Sequence, residues 1–300
     1  MNNIPSLKPG DKVAVLCPAS HVPTDISAAY NTLIAWGLDP VIAPSVSARH
    51  YNFAGDDDLR AADLQQALDN PDIKAIICAR GGYGTIRIID RLDFQKFRKN
   101  PKWIVGFSDI TVLHSHIQRQ YGIPTIHGQM VKSFLDASPE SLDTLRNALF
   151  GKMPSLTYTS REFAHRSGTG QGILVGGNLA LLQAIVGSPS DVKYKNKILF
   201  IEEVGEAHYN VDRMLYTLKR AKKLQKLQGL IVGGFTDMKD KPENFGQSVA
   251  EIVLEKVKDY DFPVAFDFPA GHIVDNRALV FGKEVELKVD QDTVKLDYQK

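Results

Sequence analysis

Residues 103–110 read Trp103-Ile104-Val105-Gly106-Phe107-Ser108-Asp109-Ile110, and the way this stretch ends decides the fold class. An apolar run of strand length, residues 103–107, passes directly into a serine and an acid, and a helical pattern occupies residues 109–120. The same grammar recurs upstream. Residues 12–17 (KVAVLC) and 73–78 (IKAIIC) are short apolar runs broken at their ends, one by Pro18-Ala19-Ser20 and the other by Arg80-Gly81-Gly82-Tyr83-Gly84. Between them lie a helical pattern over 26–36, a strand over 40–43 and a second helical pattern over 57–68. In that second helix Leu59, Ala62, Leu64 and Leu68 recur behind acids that suit the N-terminal dipole. Strands alternating with helices imply a mostly parallel sheet covered on both faces.

Downstream the character changes. Gly151, Pro154, Gly168, Gly170 and Gly172 surround polar residues with little periodicity, as expected of a linker or an active-site flap over residues 151–172. A second series follows, with a helix over 177–186 and a strand over 197–204 (KILFIEEV). Next come a helix carrying Val211, Met214, Leu215 and Leu218 on one face, and strands over 230–235 and 263–266. Residues 278–298 alternate apolar and polar around Gly282, which reads as short antiparallel strands. The expected plan is therefore an N-terminal α/β domain (1–150), a linker or flap (151–172) and a C-terminal α/β domain (173–300).

Composition narrows the function. In 300 residues, 43% hydrophobic and 24% charged side chains exclude a disordered or fibrous chain. Lys and Arg total 36 against 35 Asp and Glu, so no basic excess offers a footprint for nucleic acid. Cys17 and Cys78 both sit in apolar runs, where buried free thiols are expected, and two cysteines cannot build a disulfide framework. No apolar run approaches the roughly 20 residues needed to cross a bilayer, and residues 1–11 lack the pattern of a signal peptide. A cytoplasmic protein without membrane or nucleic-acid partners is the expectation. No G-x-x-x-x-G-K-[ST] occurs, and Gly82-Tyr83-Gly84-Thr85-Ile86-Arg87 puts an arginine where a dinucleotide loop needs its third glycine. His114 and His116 do not share a helix face and no H-E-x-x-H is present. Neither a cofactor nor a metal is expected.

Three strand ends carry chemistry. Ser108 lies where a sharp turn would expose its hydroxyl beside free backbone N–H groups, the geometry of a nucleophile elbow. The alternative is a plain N-cap, and Ile110 stands where G-x-S-x-G would have glycine. Glu202 and Glu203 end a strand with side chains on opposite faces, so one could enter a cleft while the other meets solvent. His272 follows another strand, after Phe268-Pro269-Ala270-Gly271. In a parallel α/β sheet, ligands gather beyond the carboxyl ends of the strands. Serine, acid and histidine there would supply nucleophile, orienter and base, in a chain order also used by α/β-hydrolases.

An ordered set of short matches runs through nearly the whole chain. It comprises Val13-Ala14-Val15-Leu16-Cys17-Pro18-Ala19-Ser20, Phe53-Ala54-Gly55, Arg60-Ala61-Ala62-Asp63-Leu64 and Ala79-Arg80-Gly81-Gly82-Tyr83-Gly84. It continues with Gly106-Phe107-Ser108-Asp109, His127-Gly128, Gly176-Gly177-Asn178-Leu179, Glu202-Glu203-Val204-Gly205-Glu206 and Gly271-His272 followed by Asn276. With these, the sequence resembles the LD-carboxypeptidase family of serine peptidases, which includes murein tetrapeptide carboxypeptidases and immunity peptidases of the microcin C type. The resemblance implies a triad of Ser108, Glu202 and His272, and an oxyanion hole from the N–H groups of Asp109 and one glycine of the Gly81-Gly82 pair, taken as Gly82. It implies a serine in the N-terminal domain, acid and base in the C-terminal one, and an active site between them. The reaction implied is release of terminal D-alanine from murein tetrapeptides in cytosolic cell-wall recycling, by an enzyme that can be a homodimer. Arg80, or N–H groups of the turn at Gly81, would hold the substrate's free carboxylate. The chain departs from the family at His208-Tyr209-Asn210, where Pro-Tyr-Arg is common, and at Leu279-Val280-Phe281-Gly282, where Leu-Pro-x-Gly is common. Neither departure touches the triad. Two other readings are a peptidase for peptide–nucleotide conjugates, which would favour an aromatic platform such as Tyr158 or Phe163 in the linker, and a non-catalytic small-molecule sensor.

Overall fold

The structure, a computed structural model, describes residues 4–153, 155–160 and 165–299. Two sheets organise it. The first contains β1 (Lys12–Leu16), β2 (Asp39–Ile42), β3 (Ile73–Cys78), β4 (Trp103–Gly106) and β5 (Thr125–His127), ordered β5-β4-β3-β1-β2 and all parallel. The second begins with β6 (Leu156–Thr159), β7 (Gly168–Asn178), β8 (Lys197–Val204), β9 (Gly229–Thr236) and β10 (Val264–Ala265). Three late strands follow: β11 (Leu279–Phe281), β12 (Glu284–Val289) and β13 (Thr293–Tyr298). The second sheet runs β10-β9-β8-β7-β12-β13-β6; its first four strands are parallel and the rest antiparallel. β11 leaves it to pair antiparallel with β5 and close the edge of the first sheet. The fold class is the expected one: a mostly parallel α/β sheet joined to a second α/β unit with short antiparallel strands.

The strands of the first sheet are continuous apolar runs because helices cover both faces, and Val13, Leu16, Ile76, Ile77, Ile104 and Val105 are all buried. Truncating one, for example Ile104→Ala, would leave a cavity costing about 2–5 kcal/mol. In the order β2-β1-β3-β4-β5 the chain reverses direction between β1 and β3, so the loops after those strands splay apart and open a crevice. Those loops carry Ser20 and Gly81-Gly82, and the turn after the next strand, β4, carries Ser108.

Two expectations fail in the middle of the chain. Residues 156–159 and 168–172, expected as linker or flap, are paired strands in β6 and β7. The glycines there serve close approach rather than freedom. A Cβ on Gly170 would collide with the Gln228 carbonyl, and one on Gly172 would come within 2.7 Å of the Asn196 carbonyl. Pro154 and Phe163 of that stretch lie outside the described residues. The helix expected from residue 177 begins instead at Leu179, because Gly176 and Gly177 extend β7 past Phe200 and Thr111, where any side chain would collide. Asn178 then caps the helix, accepting the Leu181 N–H at 3.3 Å.

Candidate active site

At the end of β4 the chain turns sharply. A Cβ on Gly106 would lie 2.8 Å from the Ile110 side chain, so the glycine two places before Ser108 gives the isoleucine two places after it room to pack. Ser108 itself takes φ 63°, a left-handed conformation unusual for a residue with a side chain and costing on the order of 1–3 kcal/mol. The N-cap alternative does not describe it. The 3-10 turn Ser108–Ile110 is preceded by Phe107, the helix Thr111–Tyr121 begins after Ile110, and neither start is closed by a side-chain hydrogen bond. The serine is half-buried in a strained turn without capping anything.

The turn after β3 packs onto it. A Cβ on Gly81 would come within 2.9 Å of Ser108 Cβ and 3.2 Å of the Asp109 nitrogen. Gly82, at φ 95°, presses against Ser20, whose Oγ accepts the Tyr83 N–H at 3.1 Å while its own N–H donates to the Gly81 carbonyl at 3.1 Å. The Asp109 carboxylate is fully buried and accepts the Thr85 N–H at 2.8 Å; burial pushes its pKa up. Arg80 is half-buried and donates to the His21 carbonyl at 2.6 Å, which ties its guanidinium to the loop after β1.

The second sheet supplies the acid and the histidine. His272 Nδ1 lies 2.6 Å from Glu202 Oε2, and the same oxygen accepts the His272 N–H at 3.2 Å. Glu202 is fully buried under Gly271, which must be glycine because a Cβ there would stand 2.8 Å from Glu202 Cβ. Burial alone would lower the His272 pKa, but its hydrogen bond with Glu202 and the charges of Glu202, Glu203 and Asp237 outweigh it, and the net direction is upward. Glu203 differs from the expectation of a solvent-facing partner: it is 3% exposed. Its oxygens accept from Asn178 Nδ2 at 2.9 Å and from the Ala180 N–H at 2.7 Å, so it holds the start of the helix Leu179–Ala184.

Register brings the pieces together. Asn178, at the end of β7, pairs with Glu202 in β8, and its N–H donates to Thr111 Oγ1 at 3.0 Å, three residues beyond Ser108. Behind this contact, Ser138 N–H donates to the Val274 carbonyl at 3.1 Å and Ser138 Oγ to Asp275 at 2.8 Å, pinning the loop that carries His272. The Phe107 and His272 rings consequently meet with centroids 4.9 Å apart. A cleft of about 570 Å³ opens beside them, walled also by Gln129, Ser133, Asp136 and Asp237. Sequence reasoning missed these four, which come from loops without a motif. His127, fully buried against Phe107 and Phe200, has its pKa held well below the usual value by burial, and His114, bonded to the Gly106 carbonyl at 2.8 Å, is lowered to about 4. Both are buried behind the cleft and do not line it. Among the described residues no group of three His, Cys, Asp or Glu side chains could hold a metal, and no helix is long and apolar enough to cross a membrane.

Comparison with known proteins identifies the family of both halves of the chain. Residues 13–128 match the LD-carboxypeptidase N-terminal domain and residues 171–287 the LD-carboxypeptidase C-terminal domain. The murein tetrapeptide carboxypeptidase of Pseudomonas aeruginosa is 34% identical over 292 residues, covering 92% of this chain and 93% of that protein. A probable murein peptide carboxypeptidase of Bacillus subtilis is 32% identical over 299 residues, 97% of this chain and 93% of that one. The crystal structure of muramoyltetrapeptide carboxypeptidase from Oxalobacter formigenes superposes with a TM-score of 0.86 at 29% identity, covering 96% of this chain and 99% of that one. With both halves of the family present in order, the chain belongs to the LD-carboxypeptidase family and is a serine-type carboxypeptidase, a hydrolase.

Proposed function

We propose that this carboxypeptidase releases terminal D-alanine from murein tetrapeptides, with Ser108, Glu202 and His272 as its triad. Ser108 Oγ attacks the last peptide carbonyl while His272 takes the serine proton and passes it to the leaving amine. Glu202, on Nδ1, fixes the imidazole tautomer and stabilises the imidazolium that forms. The N–H groups of Asp109 and Gly82 receive the oxyanion, and Arg80 or the Gly81 N–H holds the free carboxylate. Water, activated by His272, then cleaves the acyl-enzyme. The observation that carries this reading is the 2.6 Å contact of a fully buried Glu202 with a histidine whose ring meets the residue before Ser108. A surface acid–histidine pair would have no reason for such burial.

The murein substrate is supported by what the Pseudomonas and Oxalobacter proteins are named for. The domain plan follows, with the nucleophile from residues 1–150 and the acid and base from residues 173–300. The reading puts the enzyme in the cytosol as a homodimer, which sedimentation of the purified protein tests; its two free, buried thiols suit a reducing compartment. A peptide–nucleotide conjugate is the alternative substrate. It loses an aromatic platform at Tyr158, whose hydroxyl donates to the Phe266 carbonyl at 2.6 Å and whose ring packs on Phe268 at 5.4 Å. Assays of the purified enzyme on murein tetrapeptide and on a peptidyl-adenylate, side by side, decide it. Turnover of only the adenylate would overturn the recycling role.

A further inference from the structure

The Asp109 side chain faces away from the chemistry its backbone serves. Its carboxylate crosses to the neighbouring turn and takes the Thr85 N–H at 2.8 Å, where the chain has just left Gly81-Gly82-Tyr83-Gly84. Arg60, fully buried, grips the same turn from the other side: Nη1 donates to the Gly84 carbonyl at 3.1 Å and to the Pro18 carbonyl at 2.7 Å, and Nη2 pairs with Asp57. Gly84, at φ 143°, is shaped by this grip, since a Cβ there would stand 2.7 Å from Nη1 and 3.1 Å from Ala19 Cα. The turn after β3 is thus held at its far end by two buried charged side chains, while its near end, Gly81, is pressed onto Ser108.

We propose that the Asp109 carboxylate, with Arg60, is a positioning clamp that sets the distance between the two N–H donors receiving the oxyanion. One donor is Asp109's own N–H; the other, on Gly82, lies three residues before the N–H that the Asp109 side chain holds. A single residue therefore fixes both ends of the hole, by its backbone on the serine turn and by its carboxylate on the glycine turn. The inference rests on reading Ser108 as the nucleophile. Burial of two charged groups is costly unless their geometry is used, and here the carboxylate and guanidinium bond to the backbone of the turns after β1 and β3, the second of which is pressed onto Ser108.

Asp109→Asn and Arg60→Lys test it with a split that a general loss of stability would not give. Oxyanion donors act mainly in the transition state, so Asp109→Asn should lower kcat about 10- to 100-fold with KM within about twofold. Affinity for a boronic-acid analogue of the acyl half, which forms a tetrahedral adduct on serine, should fall by a comparable factor, while product inhibition holds. Arg60→Lys should show the same pattern more weakly, and the double variant should lose less than the product of the two. A folded Asp109→Asn protein with unchanged kcat and analogue affinity, or one that loses only KM, overturns the clamp. If Asp109→Asn does not fold, Arg60→Lys carries the same measurement, and the same results support or overturn the clamp. Stoichiometric fluorophosphonate labelling of Ser108 in the wild type separates the two claims: without it the nucleophile reading falls, and with it an unaffected kcat sinks only the clamp.

Discussion

The two sheets contribute to one cleft in different ways. The first offers backbone: a serine at φ 63°, a glycine turn pressed onto it, and N–H groups at the starts of short helices. The second offers side chains: Glu202 on His272, and Glu203 turned away to hold a helix. The difference teaches where each half is vulnerable. Chemistry written in side chains is removed by isosteric substitution with little effect on fold, whereas chemistry written in backbone is disturbed by any added atom. The largest test crosses this divide, because the proposed nucleophile, Ser108, is a side chain carried by the first sheet. Ser108→Ala should lower kcat by several orders of magnitude, as loss of a triad serine does, while chemical denaturation shifts by no more than about 1 kcal/mol, since the hydroxyl caps no helix. Activity retained in a folded Ser108→Ala protein would end the serine mechanism at this site.

Next in size is the contrast between neighbouring acids. Glu202→Gln should cost roughly 10²- to 10⁴-fold in kcat, by analogy with loss of the triad acid, with little change in stability. Glu203→Gln should do the reverse: its carboxylate accepts two N–H groups at a helix start, and losing part of that contributes about 1–3 kcal/mol of destabilisation with kcat largely kept. Denaturant melts beside kinetics on both variants give the answer. A larger kcat loss in Glu203→Gln would mean the two acids have been assigned the wrong way round.

How much of this was legible beforehand follows the same division. The strand ends after β3, β4 and β8 could be read because parallel strands buried on both faces are short apolar runs with abrupt stops. Ser108, Glu202 and His272 were singled out as residues, yet the approach of Phe107 to His272 and of the two sheets depends on the register of Asn178 with Glu202 and on Asn178 bonding Thr111, which no local pattern encodes. Residues 168–172 misled because glycine in sequence signals freedom, while here it signals a strand crowded by the Gln228 and Asn196 carbonyls. The solvent-facing role expected for Glu203 failed because alternation along a strand says which face a side chain takes, not whether a helix covers it.

A smaller effect sharpens the side-chain half through pH. Burial lowers the His272 pKa but Glu202 outweighs it and the net direction is upward; if His272 is the general base of the proposed mechanism, it must be neutral to accept the serine proton. Lowering pH protonates it, so kcat/KM should fall on the acid side with an inflection above the ordinary imidazole value. In Glu202→Gln the charge holding that proton is gone, and the inflection should move down. A limb that stays put in the variant would show that another group controls it.

The smallest expected effect concerns the segment expected to be a gate. Tyr158 sits in β6, donates its hydroxyl to the Phe266 carbonyl at 2.6 Å and packs edge-on against Phe268, at the start of the stretch that leads to His272. If β6 acts as structure, Tyr158→Phe removes one partly buried hydrogen bond and leaves the ring packing intact. The cost is then about 0.5–1.5 kcal/mol, with the carbonyl left to find water. Turnover of tetrapeptide and of a peptidyl-adenylate should both stay within about twofold, because neither substrate would touch a ring packed into the second sheet. A platform role predicts a different result: loss confined to the nucleotide conjugate, with stability unchanged. Thermal melts together with the two assays separate these outcomes. Selective loss on the adenylate would return Tyr158 to the substrate and with it the detoxifying role.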